Sequence, residues 1–278
     1  MPRLPRRKRK TEKKENRENK EKKTKKTRTK SKRKKINVEE YVKTIVKDVA
    51  TGIGLDYLGL TDKELEEVLG PVLETLIGDV SYKPKVEQLV KRIQRYYDNV
   101  AELISMNLLR VREKLTVEQL EYVITYGRRA VAANIQRLYE EAKRLNRTDL
   151  IPQLRYLWEE YGRPTPIPCP RCGFRAVTPD LTCFVCGAVL TEKEVRKAVD
   201  FDIMFREFVE TASVDELRET LERGYVLLGE TIKPPTSHRD PWDVEIFLNK
   251  HEKELLKKKI YEKTLAKTLV SGEPSRGK

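Results

Sequence analysis

No long apolar run exists in this chain of 278 residues. Its uninterrupted hydrophobic stretches end after a few residues, far short of the roughly 20 that a spanning helix needs, so the expectation is a soluble protein with no membrane partner. The charged N-terminus MPRLPRRKRK has no apolar stretch behind it, which argues against a secretory signal, and Glu12, Glu15, Glu18 and Glu21 argue against an organellar transit peptide. The expected location is therefore the cytoplasm, or the nucleus or nucleolus in a eukaryote. Histidine is scarce, with only His238 and His251 present. A Gly-rich phosphate loop, G-x-S-x-G and H-E-x-x-H are all missing, which removes the common signatures of nucleotide, acyl-transfer and zinc-protease chemistry. Asp200 and Asp202 lie two apart, a spacing that points side chains away from each other on a helix, and Pro179-Asp180 lacks a downstream Glu-x-Lys. The expectation is a protein without catalysis and without a small-molecule substrate.

Charge is unevenly placed. Residues 1–35 carry 20 Lys+Arg against 4 Glu, so the tail is +16, residues 36–278 come to −2, and the two make the net +14. That segment has almost nothing to bury and is expected to be disordered. Its cations would displace condensed counterions from a polyanion. Lacking glycine and aromatics, it offers neither stacking nor base readout, and it would hold phosphate without choosing a sequence. The expected contacts are Arg6, Arg7, Lys8, Arg9, Lys10, Lys25, Lys26, Arg28, Arg33, Lys34 and Lys35. Lysine-rich extensions of ribosomal and chromatin proteins resemble the tail in composition only; a solubilising or nuclear-import segment is the alternative reading. In the body, residues 85–175 are +6 between two blocks of −6, with Arg92, Arg95, Arg128, Arg129, Lys143, Arg144 and Arg147 interleaved with tyrosines. Arg128 and Arg129, and Arg171 and Arg175 beside the cysteines, are the secondary candidates for nucleic acid. Tyrosines at helical spacing are more often core than platform. High charge, 37%, with five glutamines resembles the bias of thermophile proteins.

Helix starts are legible. Thr61-x-x-Glu64, Thr116-x-x-Gln119, Thr191-x-x-Glu194 and Ser213-x-x-Glu216 each fit a capping box, Asn37 precedes Glu40 similarly, and Asp240-Pro241 fits an acidic cap followed by proline. From Lys85 to Leu115, Val86, Val90, Ile93, Tyr97, Val100, Ile104, Asn107 and Val111 recur at spacings of four and three; the rhythm resumes after Thr116 with Val117, Leu120, Ile124, Gly127, Val131, Asn134 and Leu138. This predicts an antiparallel helical hairpin roughly 45 Å long at 1.5 Å per residue. Tyr97 would then lie close to Asn134, and the two asparagines would fix register. A single kinked helix is the rival. A shorter helix over 149–161 ends at Gly162, before Pro164, Pro166 and Pro168. Residues 229–241 read as a linker, and Val244, Leu248, His251, Leu255, Leu265 and Leu269 outline a long last helix.

All four cysteines lie in one short segment, as Cys169-Pro-Arg-Cys172-Gly and Cys183-Phe-Val-Cys186-Gly, ten residues apart. Such usage points to a reducing compartment and a metal rather than disulfides. Two residues between thiolates let one tight turn present both sulfurs to an ion, and the glycine permits positive φ. Four soft thiolates select one Zn²⁺ in a closed, structural site, ahead of iron or a disulfide pair. Residues 167–190 resemble the zinc-ribbon class with rubredoxin-type knuckles. That resemblance implies a small hairpin, with a strand and turn at 174–180, and says nothing about the rest of the chain.

Together these readings predict a mainly α protein: a disordered basic tail 1–35, a helical domain 36–162 with the long hairpin, a zinc ribbon 163–190, short helices 191–229, a linker 230–240 and a C-terminal helix and tail 241–278. The functional expectation is nucleic-acid binding, RNA ahead of DNA and ribosome-associated, alongside other proteins of the same assembly. The competing class is a protein-interaction scaffold subunit of a DNA transcription or replication assembly.

Overall fold

A computed structural model describes residues 37–78 and 82–271, the last five by backbone alone. The tail 1–35, with the disorder and contacts expected of it, lies outside these residues. The described chain is mainly helical with one small antiparallel sheet, the class the sequence pattern predicts. No helix among the described residues is long and apolar enough to cross a membrane.

Helix α1 (Val38–Gly52) starts where the Asn37 side chain accepts the Glu40 N–H, and it buries Val42, Ile45, Val46 and Val49 in an i, i+3, i+4, i+7 stripe. That stripe packs chiefly on α2 (Asp62–Gly78). Thr61 and Glu64 cap α2 reciprocally: the Glu64 carboxylate accepts the Thr61 N–H at 2.9 Å and the Thr61 hydroxyl accepts the Glu64 N–H at 3.4 Å. Pro71 inside α2 has no N–H to give the ladder. Close to that gap, Asn107 donates its amide to the Val68 carbonyl at 2.9 Å. This asparagine satisfies backbone across a helix pair rather than setting a coiled-coil register.

The two long helices predicted over 85–145 are five: α3 (Val86–Arg95), α4 (Tyr97–Val111), α5 (Val117–Tyr126), α6 (Arg128–Ala133) and α7 (Ile135–Arg144). The chain folds back between Val111 and Val117, and α4 packs on α5 and α6. Each interruption has a local cause or consequence. At Asn134 the side chain donates back to the Ala130 carbonyl at 2.9 Å, which competes with the helix. At Gly127 a Cβ would stand 2.5 Å from the Val123 carbonyl oxygen at the end of α5, and a further 3.3 Å contact with Ser105 Cβ of α4 would be tight, so the break is built for glycine. Tyr97 meets Tyr126 edge-on at 5.4 Å, and the Asn134 amide is given to the Ala130 carbonyl rather than to the phenol.

The α4 C-terminus and the fold-back are closed by α7. Arg137 donates to the carbonyls of Leu109, Arg112 and Glu113, Arg144 donates to the Leu115 carbonyl, and the buried Glu141 accepts the Leu115 N–H at 3.0 Å. Carbonyls that a helix end leaves open are thus met by guanidinium groups.

Helix α8 (Ile151–Tyr161) ends at Gly162 as predicted and leads into the cysteine segment. After it come α9 (Glu192–Ala198), α10 (Phe201–Thr211) and α11 (Val214–Arg223), the first and third opened by the Thr191 and Ser213 boxes.

A three-stranded sheet follows that the sequence reading lacks: β1 (Tyr225–Leu228), β2 (Ile232–Lys233) and β3 (Val244–Phe247), in the order β2-β1-β3, all antiparallel. The stretch read as linker therefore carries β2. Asp240-Pro241 starts no helix; it turns the chain into β3, where Val244 and Ile246 are buried and Phe247 is exposed, a period of two. Lys233 fastens this turn, pairing with Asp240 and, at 3.2 Å, with the buried Asp243. The hydrogen bond to Asp240 and the charge of Asp243 hold the Lys233 ammonium above its ordinary value against desolvation. The last helix, α12 (Lys250–Ser271), begins later than predicted, at a reciprocal cap in which Asn249 accepts the Glu252 N–H at 2.9 Å and Glu252 accepts the Asn249 N–H at 2.8 Å. Glu252 also meets Arg196 of α9 at 2.6 Å, locking α12 to the layer before it. One hydrophobic cluster runs from Val42 through the cysteine segment to Leu256.

Candidate metal centre

The segment 163–190 leaves α8 along a proline-rich path and forms two knuckles. In the first, the Cys169 carbonyl accepts the Gly173 N–H and the Phe174 carbonyl accepts the Cys169 N–H, both at 2.8 Å; in the second, the Cys183 carbonyl accepts the Gly187 N–H at 2.8 Å and the Ala188 carbonyl accepts the Cys183 N–H at 2.9 Å. Gly173 and Gly187 take φ of +78° and +68°, the conformation the sequence spacing predicts for them. Isolated bridges Pro168–Arg175, Val177–Cys183 and Thr182–Val189 hold the knuckles together in place of the continuous strand expected near 174–178.

The four sulfurs converge. Cys169 Sγ lies 3.8 Å from Cys186 Sγ and Cys172 Sγ lies 3.6 Å from Cys183 Sγ, and all four lie within 4.8 Å of one another. Metal–sulfur bonds of about 2.3 Å at the tetrahedral angle set sulfurs about 3.8 Å apart. The cage therefore fits one ion. It is far too open for disulfides, whose sulfurs sit about 2.05 Å apart. Three of the cysteines are buried and Cys186 is partly so. A hydrogen bond from Cys172, with backbone N–H groups of Cys186 and Val185, holds the Cys183 thiol down to about 5 despite burial; the same hydrogen bond, together with burial, pushes Cys172 up. Among the described residues, no other group of three or more His, Cys, Asp or Glu side chains is positioned to hold an ion.

The ribbon is seated on the helical body by residues the motif does not announce. Arg155 of α8 donates to the Cys172 carbonyl at 3.0 Å and lies over the Phe174 ring; a Cβ at Gly173 would stand 2.8 Å from its guanidinium. Trp158 donates its indole N–H to the Arg175 carbonyl at 2.9 Å and stacks with Phe184, centroids 6.0 Å apart. Tyr139 of α7 meets Phe174 edge-on. No sequence signal marks Arg155 or Trp158 as seats for the metal module; one turn of α8 brings them together.

The cationic candidates on the body divide. Arg171 pairs with Glu194 at 3.2 Å, and Arg175 lies 3.8 Å from Glu230 while donating to the Thr165 carbonyl at 3.1 Å. Arg128 pairs with Asp98 at 3.0 Å. Arg147 bridges Glu121 and Asp149, Arg144 holds Glu141, and Arg92 donates to the Leu76 carbonyl. Arg129 differs: its backbone N–H binds Glu102, and its exposed guanidinium has no carboxylate partner among the described residues. Of the interleaved tyrosines, Tyr122 is buried and Tyr97 and Tyr126 pack against the core, whereas Tyr96 and Tyr156 are exposed. Asp200 and Asp202 line one shallow concavity with Lys193, Arg196 and Lys197, because Asp200 sits before α10 with φ +52° rather than within it.

No family model matches the chain, and no curated protein or solved structure matches it.

Proposed function

We propose that the protein is a non-catalytic, zinc-containing nucleic-acid-binding component of an intracellular assembly, that it takes RNA in preference to DNA, and that it is ribosome-associated. The observation that carries the reading is the segregation of charge: +16 on residues 1–35 and −2 on all that follows. A cationic density of this size binds polyphosphate through counterion release, with affinity that falls steeply as salt rises. The body supports the division of labour. Arg171, Arg175 and Arg128 already meet carboxylates of their own chain, so the tail is the main phosphate contact and the body positions it among partner proteins.

Zinc is the ion that four thiolates at this spacing take in a structural role. Cys169, Cys172, Cys183 and Cys186 would hold it. Bound there it fills four coordination positions and supplies folding free energy rather than a reactive water.

The test is a salt series. Affinity for an RNA hairpin and for a DNA duplex is measured by fluorescence anisotropy for the full chain and for a chain beginning at Ile36. The full chain is expected to lose affinity steeply between 50 and 200 mM salt, on the order of 10³-fold or more if six to ten phosphates are contacted, and the shortened chain to bind far more weakly with a shallow slope. Equal affinity and equal slope for the two chains would overturn the reading.

A further inference from the structure

Helices α4 and α6 leave a groove of about 630 Å³ between them, walled by Asn99, Glu102, Leu103 and Met106 on one side and by Arg129, Ala130, Ala133 and Asn134 on the other. Ala133 and Asn134 also line a second depression of about 250 Å³, which runs on to Phe184 of the metal ribbon. Three large apolar side chains stand exposed along this path: Leu103 at 46%, Met106 at 50% and Phe184 at 52%. Leu103 and Met106 are three apart on one helix face, and the alanines opposite them keep the floor low. Methionine adapts its shape to an incoming surface.

The charges around the groove are not neutralised from within. Arg129 lines it without a carboxylate partner among the described residues, and Arg110, one turn beyond Met106 on the same face of α4, is likewise exposed and unpaired there. The nearest carboxylate, Glu102, accepts the Arg129 backbone N–H at 3.2 Å. Only at the Phe184 end does an exposed carboxylate, Glu140, join the lining. The Leu103–Met106 end thus joins exposed apolar side chains to the open guanidinium groups of Arg129 and, just beyond the lining, Arg110, with the partly buried Glu102 beside them, and the Phe184 end is mixed, lined also by Gln136, Arg137 and Glu140.

We propose that this groove docks an amphipathic helix of a partner protein, with apolar side chains seated on Leu103, Met106 and Phe184 and with carboxylates facing Arg129 and Arg110. The occupant is a helix because the walls are two helices with a low floor, the geometry in which anchors spaced i, i+3, i+4 and i+7 interdigitate. Its end over α4 is acidic because two unpaired guanidinium groups wait there. This surface belongs to the described body alone, and Arg129, which lines the groove, is also one of the cations the sequence offers to nucleic acid.

The experiment uses the full chain and three fluorescein-labelled synthetic helical peptides: one with leucines at i, i+4 and i+7 flanked by glutamates, one with those leucines replaced by serine, and one with the glutamates replaced by lysine. All three peptides meet the same basic tail, so a double-mutant cycle isolates the groove. Leu103→Ser with Met106→Ser is expected to weaken binding of the leucine peptide by tenfold or more while leaving the serine peptide unchanged. Arg110→Glu with Arg129→Glu is expected to weaken the glutamate-flanked peptide and to strengthen a lysine-flanked counterpart, each by several-fold. All four residues are exposed, and the thermal midpoint of each variant is compared with that of the parent chain to establish that the fold is kept. Equal losses for the leucine and serine peptides, or no dependence on the groove variants, would overturn the proposal. So would loss of oligonucleotide affinity in these variants without loss of peptide affinity, which would make the groove a nucleic-acid surface.

Discussion

Removing the ion should do more than open four thiols, because the ribbon shares its core with the helices. Phe174, Val177 and Val185 are fully buried, Leu190 is 4% exposed, and all belong to the same cluster as the helical residues. The ribbon has isolated bridges and no continuous strand, so an ion bound by the four thiolates would do much to hold its two knuckles together. Each of those side chains contributes about 1.5–3 kcal/mol when buried, or roughly 6–12 kcal/mol for the four; a whole domain is stable by about 5–15 kcal/mol. Cys172→Ser, or chelation of the wild-type chain, is therefore expected to release one ion per chain and lower the thermal midpoint strongly. Helical signal should largely persist at low temperature, since the α1–α7 contacts are local to the helices. The sharpest readout is Trp158, which stacks on Phe184 and donates to the Arg175 carbonyl. With Trp242→Phe leaving it as the sole tryptophan, its emission should shift to the red on chelation. If metal content falls to zero while the midpoint and Trp158 emission stay put, the ribbon is an appendage and the reasoning fails.

Three further outcomes follow from local geometry. Gly127→Ala drives a Cβ to 2.5 Å from the Val123 carbonyl oxygen and should cost about 1–3 kcal/mol, read by urea denaturation. Burial opposes ionisation of Glu141, yet Arg144 and the Leu115 N–H outweigh it and hold the carboxyl below the ordinary glutamate value. The folded state thus favours the charged form, so this contribution is complete above the ordinary value and fades as pH falls through the lowered one; the stability gap between wild type and Glu141→Gln should narrow in acid, and a gap that widens there contradicts the assignment. Asn249→Ala should cost about 1 kcal/mol by removing the α12 cap, whereas Asp240→Ala should leave helical content unchanged because no helix starts there; circular dichroism distinguishes the two.

What the sequence determined by itself are the features set by a few neighbouring residues. Each capping box needs only a hydroxyl and a carboxylate or amide three positions on, and Thr61, Thr116, Thr191 and Ser213 all open helices. The knuckles need only Cys-x-x-Cys-Gly, and the sulfurs converge as the spacing requires. Tertiary contact decided the rest. An i, i+3, i+4 rhythm continues across Tyr96, Gly127 and Asn134, yet the helices break there; the apolar rhythm reports neither the local back-bonding of Asn134 to Ala130 nor the packing of Ser105 against Gly127. Val244-Glu-Ile-Phe247 satisfies a helical stripe and a strand alternation equally well until Tyr225–Leu228 supplies the partner edge. Nor can a count of arginines tell an open cation from one already closed on Glu194, Asp98 or a helix-end carbonyl: charge is a property of the residue, but its availability depends on which distant groups the fold brings within hydrogen-bonding reach.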